Sequence, residues 1–118
     1  MPVTTCEVAL VARSGGVEMG QAVAVALALP LGGCDVFLVL EGAARELAIQ
    51  HETVGGRGPD GMTEQMEALL ADDGVEVVVR WDAGDDLALP ARLRPQVRTV
   101  GVDEIEARCR RAHHWLVM

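Results

Sequence analysis

Apolar positions along the chain fall in short blocks separated by glycine, proline or acidic residues. Val8 to Ala12 is an uninterrupted apolar run closed by Arg13-Ser14-Gly15-Gly16, the pattern of a strand buried on both faces. Val17 to Leu29 lacks two-residue alternation and is rich in alanine, which predicts a helix. Glu18 suits the start of that helix, and Pro30 with Gly32-Gly33 ends it. Asp35 to Leu40 is β-branched and apolar, the clearest strand in the chain. Glu41-Gly42 then turns into a short helix, Ala43 to Ile49.

Gln50 to Gly61 holds four glycines and Pro59 and predicts a loop. Met62, Met66, Leu69 and Leu70 recur at helical spacing, so Thr63 to Asp72 predicts an amphipathic helix. Asp73-Gly74 closes it before a third strand, Val75 to Val79. Arg80 to Pro95 reads as an irregular crossover, and Val97 to Val100 as a fourth strand. Asp103 to Ala112 predicts a helix with acids in its first turn and arginines in its last, the order that complements a helix dipole. Trp115 to Val117 completes the series as a fifth strand.

Strands alternating with helices predict a parallel sheet with helices on both faces. No internal repeat, linker or low-complexity tract interrupts the chain, so residues 1–118 are expected to form a single domain.

Composition narrows the chemistry. Half of the 118 residues are apolar and the mean hydropathy is +0.23, enough for a buried core. The formal net charge of −8 disfavours phosphate backbones and anionic lipid surfaces. All ten basic residues are arginine, which excludes a P-loop lysine, a Schiff-base lysine and a Ser–Lys dyad in this chain. The aromatic residues Phe37, Trp81 and Trp115 are too few for a base-stacking surface. Cys6, Cys34 and Cys109 are odd in number and widely spaced, with no CxxC, which fits a reducing cytoplasm better than a disulfide framework. Met1 to Val11 has no basic segment of the signal-peptide kind. The longest nearly uniform apolar run, Ala22 to Leu31, is about half the length that spans a bilayer.

Several clusters suggest chemistry, and each has a plainer reading. Ser14-Gly15-Gly16 could present backbone N–H groups to an anion, yet it lacks the GxGxxG pattern and Glu18 already puts negative charge in the first helical turn, so a plain strand–helix turn is the better reading. Cys109 and His113 have C-x3-H spacing, but no further ligand cluster accompanies them, so no metal site is expected. Asp82, Asp85 and Asp86 lack the spacing of a calcium loop and read as a solvated acidic loop. Cys6 and Cys34 precede their strands at the amino edge of the sheet, whereas ligands bind outside the carboxyl edge, so both read as packing residues. A pocket at the carboxyl edge would be lined by Arg13, Ser14, His51, Arg80 and Trp81. No catalytic residue and no cofactor is assigned.

The order of these segments resembles the DsrE/DsrF-like family, which takes in sulfur-relay subunits of the Tus and Dsr type and the small YchN type. The resemblance rests on Val8 to Gly15, on Asp35 to Gly42 (DVFLVLEG), and on Met62 to Leu70 after the glycine loop. It continues through Gly74 to Val79, Val97 to Ile105 and Ala112 to Met118 (AHHWLVM). It implies a three-layer α/β/α fold with a five-stranded parallel sheet in the order 4-3-2-1-5. It also implies assembly as homotrimers or homohexamers, here with Met62 and Met66 expected at the interface. Active family members carry persulfide sulfur on a cysteine just after the third strand. This chain has Arg80-Trp81-Asp82-Ala83 there, and no cysteine between Cys34 and Cys109.

The resemblance therefore implies a non-catalytic, cytoplasmic oligomer with a structural or regulatory binding role linked to intracellular sulfur relay. One alternative is a small-ligand binder or enzyme with a pocket at the carboxyl edge. The other is a sulfur carrier using Cys109 or Cys34. Arg80 serves recognition at its site, or pairs with Asp82 or Asp85 in a surface loop.

Overall fold

The computed structural model describes residues 6–13, 17–48, 63–82 and 93–118. In chain order these form β1 (Cys6–Ala12), α1 (Val17–Ala28), a 3-10 turn (Leu29–Gly32), β2 (Cys34–Leu40), a second 3-10 segment (Gly42–Ala48) and α2 (Thr63–Ala71). β3 (Val75–Arg80), β4 (Arg98–Val100), α3 (Val102–Arg111) and β5 (His114–Val117) follow. The five strands make one sheet in the order β4-β3-β2-β1-β5, with every neighbouring pair parallel. This is the architecture and strand order that the sequence leads one to expect.

Two apolar layers hold the sheet between helices. On one face Leu10, Ala12, Val36, Leu38, Leu40, Val77 and Val79 pack against α1, α2 and the Gly42–Ala48 segment. Small residues of α1 (Ala22, Val23, Ala26) and Ala44 and Ala48 let those elements approach the strands closely. On the other face Ala9, Val11, Phe37, Val39 and Val78 meet Ile105 and Cys109 of α3. β1, β2 and β3 alternate between these two cores, which is why their sequences are apolar at nearly every position. Each fully buried Leu, Val or Phe side chain contributes about 1.5–3 kcal/mol relative to exposure.

Three boundaries differ from the sequence pattern for physical reasons. β1 and β2 begin earlier, at Cys6 and Cys34, because Glu7 and Asp35 break the apolar run without breaking the pairing: Glu7 stands opposite Asp35 in register. The helix expected at Ala43 to Ile49 is a tighter 3-10 segment, Gly42–Ala48. Gly42 opens it at φ 57°, and the Ala44 N–H bonds back to the Glu41 carbonyl at 3.1 Å. β4 starts at Arg98, since the Val97 N–H is turned back to the Arg94 carbonyl at 3.0 Å.

Met66, expected at an oligomer interface, is 1% exposed and belongs to the core beneath α2. Its position in the amphipathic pattern faces the sheet. Met62 and the glycine loop from Gln50 to Gly61 lie outside the described residues, as does most of the Arg80 to Pro95 crossover. Among the described residues, consecutive exposed apolar side chains lie instead on β5, where Trp115, Leu116 and Val117 are each about half exposed; Leu31 and Val102 are exposed singly. Trp115 and Val117 share the α3 face with their partners Ala9 and Val11, and Leu116 shares the opposite face with Leu10. β5 is thus apolar and open on both sides.

Candidate functional site

The carboxyl ends of β1, β2 and β3 deliver Arg13, Glu41 and Arg80 to one edge of the sheet. Ala12, Leu40 and Val79 stand abreast in register, so the next residue on each strand, Arg13, Glu41 and Arg80, falls at the same level, the usual position of ligand sites in open α/β sheets. The backbone fixes that level: Glu41 N–H bonds to the Ala12 carbonyl at 2.9 Å, and Trp81 N–H to the Val100 carbonyl at 3.0 Å. Gly42 turns away immediately after Glu41. A Cβ there would stand 3.0 Å from the Arg13 carbonyl oxygen, so the turn requires glycine for space as well as for its positive φ.

Glu41 is the centre of the cluster. It is a charged side chain at the end of the innermost strand, 9% exposed. A buried carboxylate persists only when paired. The Arg13 guanidinium donates to its Oε1 from Nε, and Arg80 Nη1 approaches Oε2 at 3.4 Å. Arg80 Nε also donates to Asp82 Oδ2 at 2.9 Å. The Asp82 hydrogen bond first, and that from Glu41 after burial's opposing effect, push the Arg80 guanidinium further up, so its charge is permanent. Asp82 has a second task. Its Oδ1 accepts the Val102 N–H at 3.3 Å and so caps α3, whose own N-cap residue is Gly101 without a side chain.

Arg13, Glu41, Gly42, Arg45, Arg80 and Asp82 line an open cleft of about 310 Å³. Three guanidiniums and two carboxylates line it, in a chain whose overall charge is −8. None of these six lining residues carries a thiol, hydroxyl, imidazole or amine. The described wall therefore offers recognition of an anionic group by forked guanidinium donors, while its two carboxylates are engaged by arginines.

Of the residues expected to line this pocket, Arg13 and Arg80 are brought together here. Ser14 and His51 lie outside the described residues. Trp81 does not line the cleft: its partly buried side chain packs on the core of the α1 and α2 face. Arg80 pairs with Asp82, as one of its two readings held, and also with Glu41. Glu41, Gly42, Arg45 and Asp82 were missed. Glu41 had a signal, an acid directly abutting six residues of central strand.

The cysteines occupy other places. Cys109 is 2% exposed against the sheet, and burial first, then the charge of Glu41, raises its thiol, with Arg108 opposing. The α3 helix ends at Arg111, so His113 leaves the face of Cys109; its Nδ1 accepts the Glu7 N–H at 3.0 Å. Among the described residues no group of three or more His, Cys, Asp or Glu side chains is placed to hold a metal ion.

No family model matches this chain, and no curated protein matches it. Among solved structures, the crystal structure of the ychN protein from E. coli superposes with a TM-score of 0.80, over 97% of this chain and 100% of that one, at 18% identity. The chain has the ychN fold. At that identity the likeness extends to the backbone and its strand order, which is the fold that the DsrE/DsrF-like resemblance implies. Within the ychN fold, Arg80 and Asp82 stand at the end of β3, and the cleft opens beside them.

Proposed function

We propose that this chain is a self-associating, DsrE/DsrF-like recognition protein whose carboxyl-edge cleft binds a small anion, without carrying sulfur covalently at that place. The observation that supports it most directly is the Arg13–Glu41–Arg80–Asp82 cluster lining an open cleft at the end of β3. Sulfur relay passes a sulfane sulfur between thiolates, and neither Arg80 nor Asp82 can form an S–S bond. What the position offers is a fixed positive charge held in orientation by two carboxylates. A partner in intracellular sulfur relay and a cytoplasmic setting belong to the same reading; the fold likeness supports the first and the free cysteines the second.

Thermal unfolding in the presence of sulfate, thiosulfate, phosphate and small carboxylates tests the cleft. At 100 times its dissociation constant, a bound anion adds about 2.7 kcal/mol of stability, a rise of about 10 °C in a domain of this size. Arg80→Ala is expected to abolish the rise while leaving the fold intact. The reading fails if none of these anions raises the midpoint, or if the rise survives Arg80→Ala.

The apolar β5 supports the self-association. An edge strand with Trp115, Leu116 and Val117 half exposed on both faces is a pairing surface for another copy. Light scattering is expected to show a trimer or larger, reduced by Leu116→Asp. A 12.5 kDa species independent of concentration would overturn it.

A further inference from the structure

The amino edge of the sheet holds a pair of thiols. Cys6 opens β1 and Cys34 opens β2, and the two are Cα partners in the parallel ladder. Neighbouring strands lie about 4.8 Å apart, within the Cα separation of about 4.4–6.8 Å that a disulfide spans. Side chains paired in parallel register leave the sheet on the same face, here the α1 and α2 face that Val8's partner Val36 also occupies. Both cysteines are partly exposed and both are free thiols. Cys109 is buried on the opposite face under α3, with the sheet between it and the pair.

We propose that Cys6 and Cys34 are a dithiol site that exchanges with low-molecular-weight disulfides and closes reversibly into a Cys6–Cys34 disulfide across β1 and β2. Burial first, then the hydrogen bond and charge of the neighbouring Cys34, raises the Cys6 thiol above its ordinary value. The Cys34 thiolate displaces one thiolate from the small disulfide and becomes a mixed disulfide. Cys6 then loses its proton to solvent and attacks the Cys34 sulfur, expelling the second thiolate. The protein gives up two electrons and two protons, and the small disulfide becomes two thiols. Register supplies the effective concentration that favours ring closure over a lasting mixed disulfide. In a reducing compartment such a bridge is transient, the behaviour of a redox-responsive thiol pair and not of a structural disulfide.

The full chain is reduced, incubated with glutathione disulfide, quenched by alkylation and weighed intact, beside Cys6→Ser, Cys34→Ser and Cys109→Ser. The wild type and Cys109→Ser are expected to lose two hydrogens, to resist alkylation at both thiols, and to yield a digest in which the Cys6 and Cys34 peptides are joined. Cys6→Ser is expected to stop as a glutathione mixed disulfide on Cys34. Circular dichroism confirms that each variant is folded. A second measurement needs no variant: a trivalent arsenical, which bridges two adjacent thiols, should bind the wild type in one equivalent, shielding Cys6 and Cys34 and leaving Cys109 unbridged. Lasting mixed disulfides on the wild type, a bridge that includes Cys109, or an arsenical that shields neither thiol would overturn the proposal.

Discussion

Two arginine–carboxylate clusters occupy opposite situations on the same sheet. At the carboxyl edge, the nearly buried Glu41 is gripped by Arg13 and Arg80 at the wall of a cleft. On the α3 face, Glu76 of β3 takes Arg98 Nη2 at 2.7 Å and Arg108 Nη2 at 3.2 Å, while Arg98 reaches Glu104 at 2.8 Å and Arg108 stands 3.7 Å from Glu7. The Glu76 side chain is 42% exposed against 11% for Glu41. Arg108 also lies over the Phe37 ring, 4.2 Å from its centroid, and so covers the end of the apolar layer beneath α3. The second cluster ties α3 to β1, β3 and β4. The first ties three strand ends to one another and leaves a cavity beside them. Similar pairs thus serve two ends, and burial of the shared carboxylate separates them. Where the acid is half solvated its pairs are worth little; where it is buried, removing its charge takes the shared anion from Arg13 and Arg80, of which Arg80 keeps Asp82.

The largest expected effect comes from that difference. Glu41→Gln keeps the shape of the side chain and removes its charge, leaving Arg13 and Arg80 facing each other. We expect a loss of about 2 kcal/mol, below the figure for a fully buried pair because both guanidiniums reach solvent. Urea denaturation of Glu41→Gln beside Glu76→Gln measures it. Equal losses in the two variants would erase the distinction between the clusters.

Gly42→Ala is expected to cost about 1–2 kcal/mol, since it forces an L-residue to positive φ with its Cβ against the Arg13 carbonyl. Because that strain acts on the backbone that carries Arg13 and Glu41, anion binding should weaken together with stability. Gly33→Ala, also at positive φ but with open space around its Cβ, is the comparison. It should cost less and leave the cleft unchanged. A Gly42→Ala variant as stable as Gly33→Ala would show that the close approach at the cleft is relieved without loss.

The two clusters were unequally legible in the sequence. Strand positions stood out because the inner stretches of β1, β2 and β3 are buried on both faces, and that burial makes Val8 to Ala12, Val36 to Leu40 and Val77 to Val79 apolar throughout. Arg13 and Arg80 stood out because each ends such a run. Glu41 ends one too, but without the neighbouring strands it looks like any turn acid; its role exists only once three strand ends lie abreast. By sequence Asp82 reads as part of an acidic loop, whereas one of its oxygens caps a helix twenty residues further on. The α3 cluster was invisible as a cluster, since it draws on Glu7, Glu76, Arg98 and Arg108, which only the sheet order assembles. Cys6 and Cys34 were placed correctly at the amino edge, but their adjacency depends on a register that one residue of slip would destroy. Met66 was misjudged because helical spacing marks a face without saying what covers it.

The smallest effect is a dependence on pH confined to the α3 cluster. Burial alone would raise the Glu76 carboxyl, but the hydrogen bonds and charges of Arg98 and Arg108 overcome it and hold the group below its ordinary value. A carboxyl depressed in the folded state binds fewer protons there than in the unfolded chain. Its contribution to stability is therefore complete above the ordinary glutamate value of about 4.3 and is lost as pH falls through the folded value. The half-exposed setting limits that contribution to about 1 kcal/mol or less. Stability of the wild type minus that of Glu76→Gln should hold steady from neutral pH down to about pH 5, then shrink toward zero on further acidification. Added salt at neutral pH should also shrink it, because exposed pairs are screened. A difference that stays constant through both titrations would assign Glu76 a packing role and leave the charges of the α3 cluster without energetic weight. The clusters would then differ in kind, the one around Glu41 being electrostatic and the one around Glu76 steric.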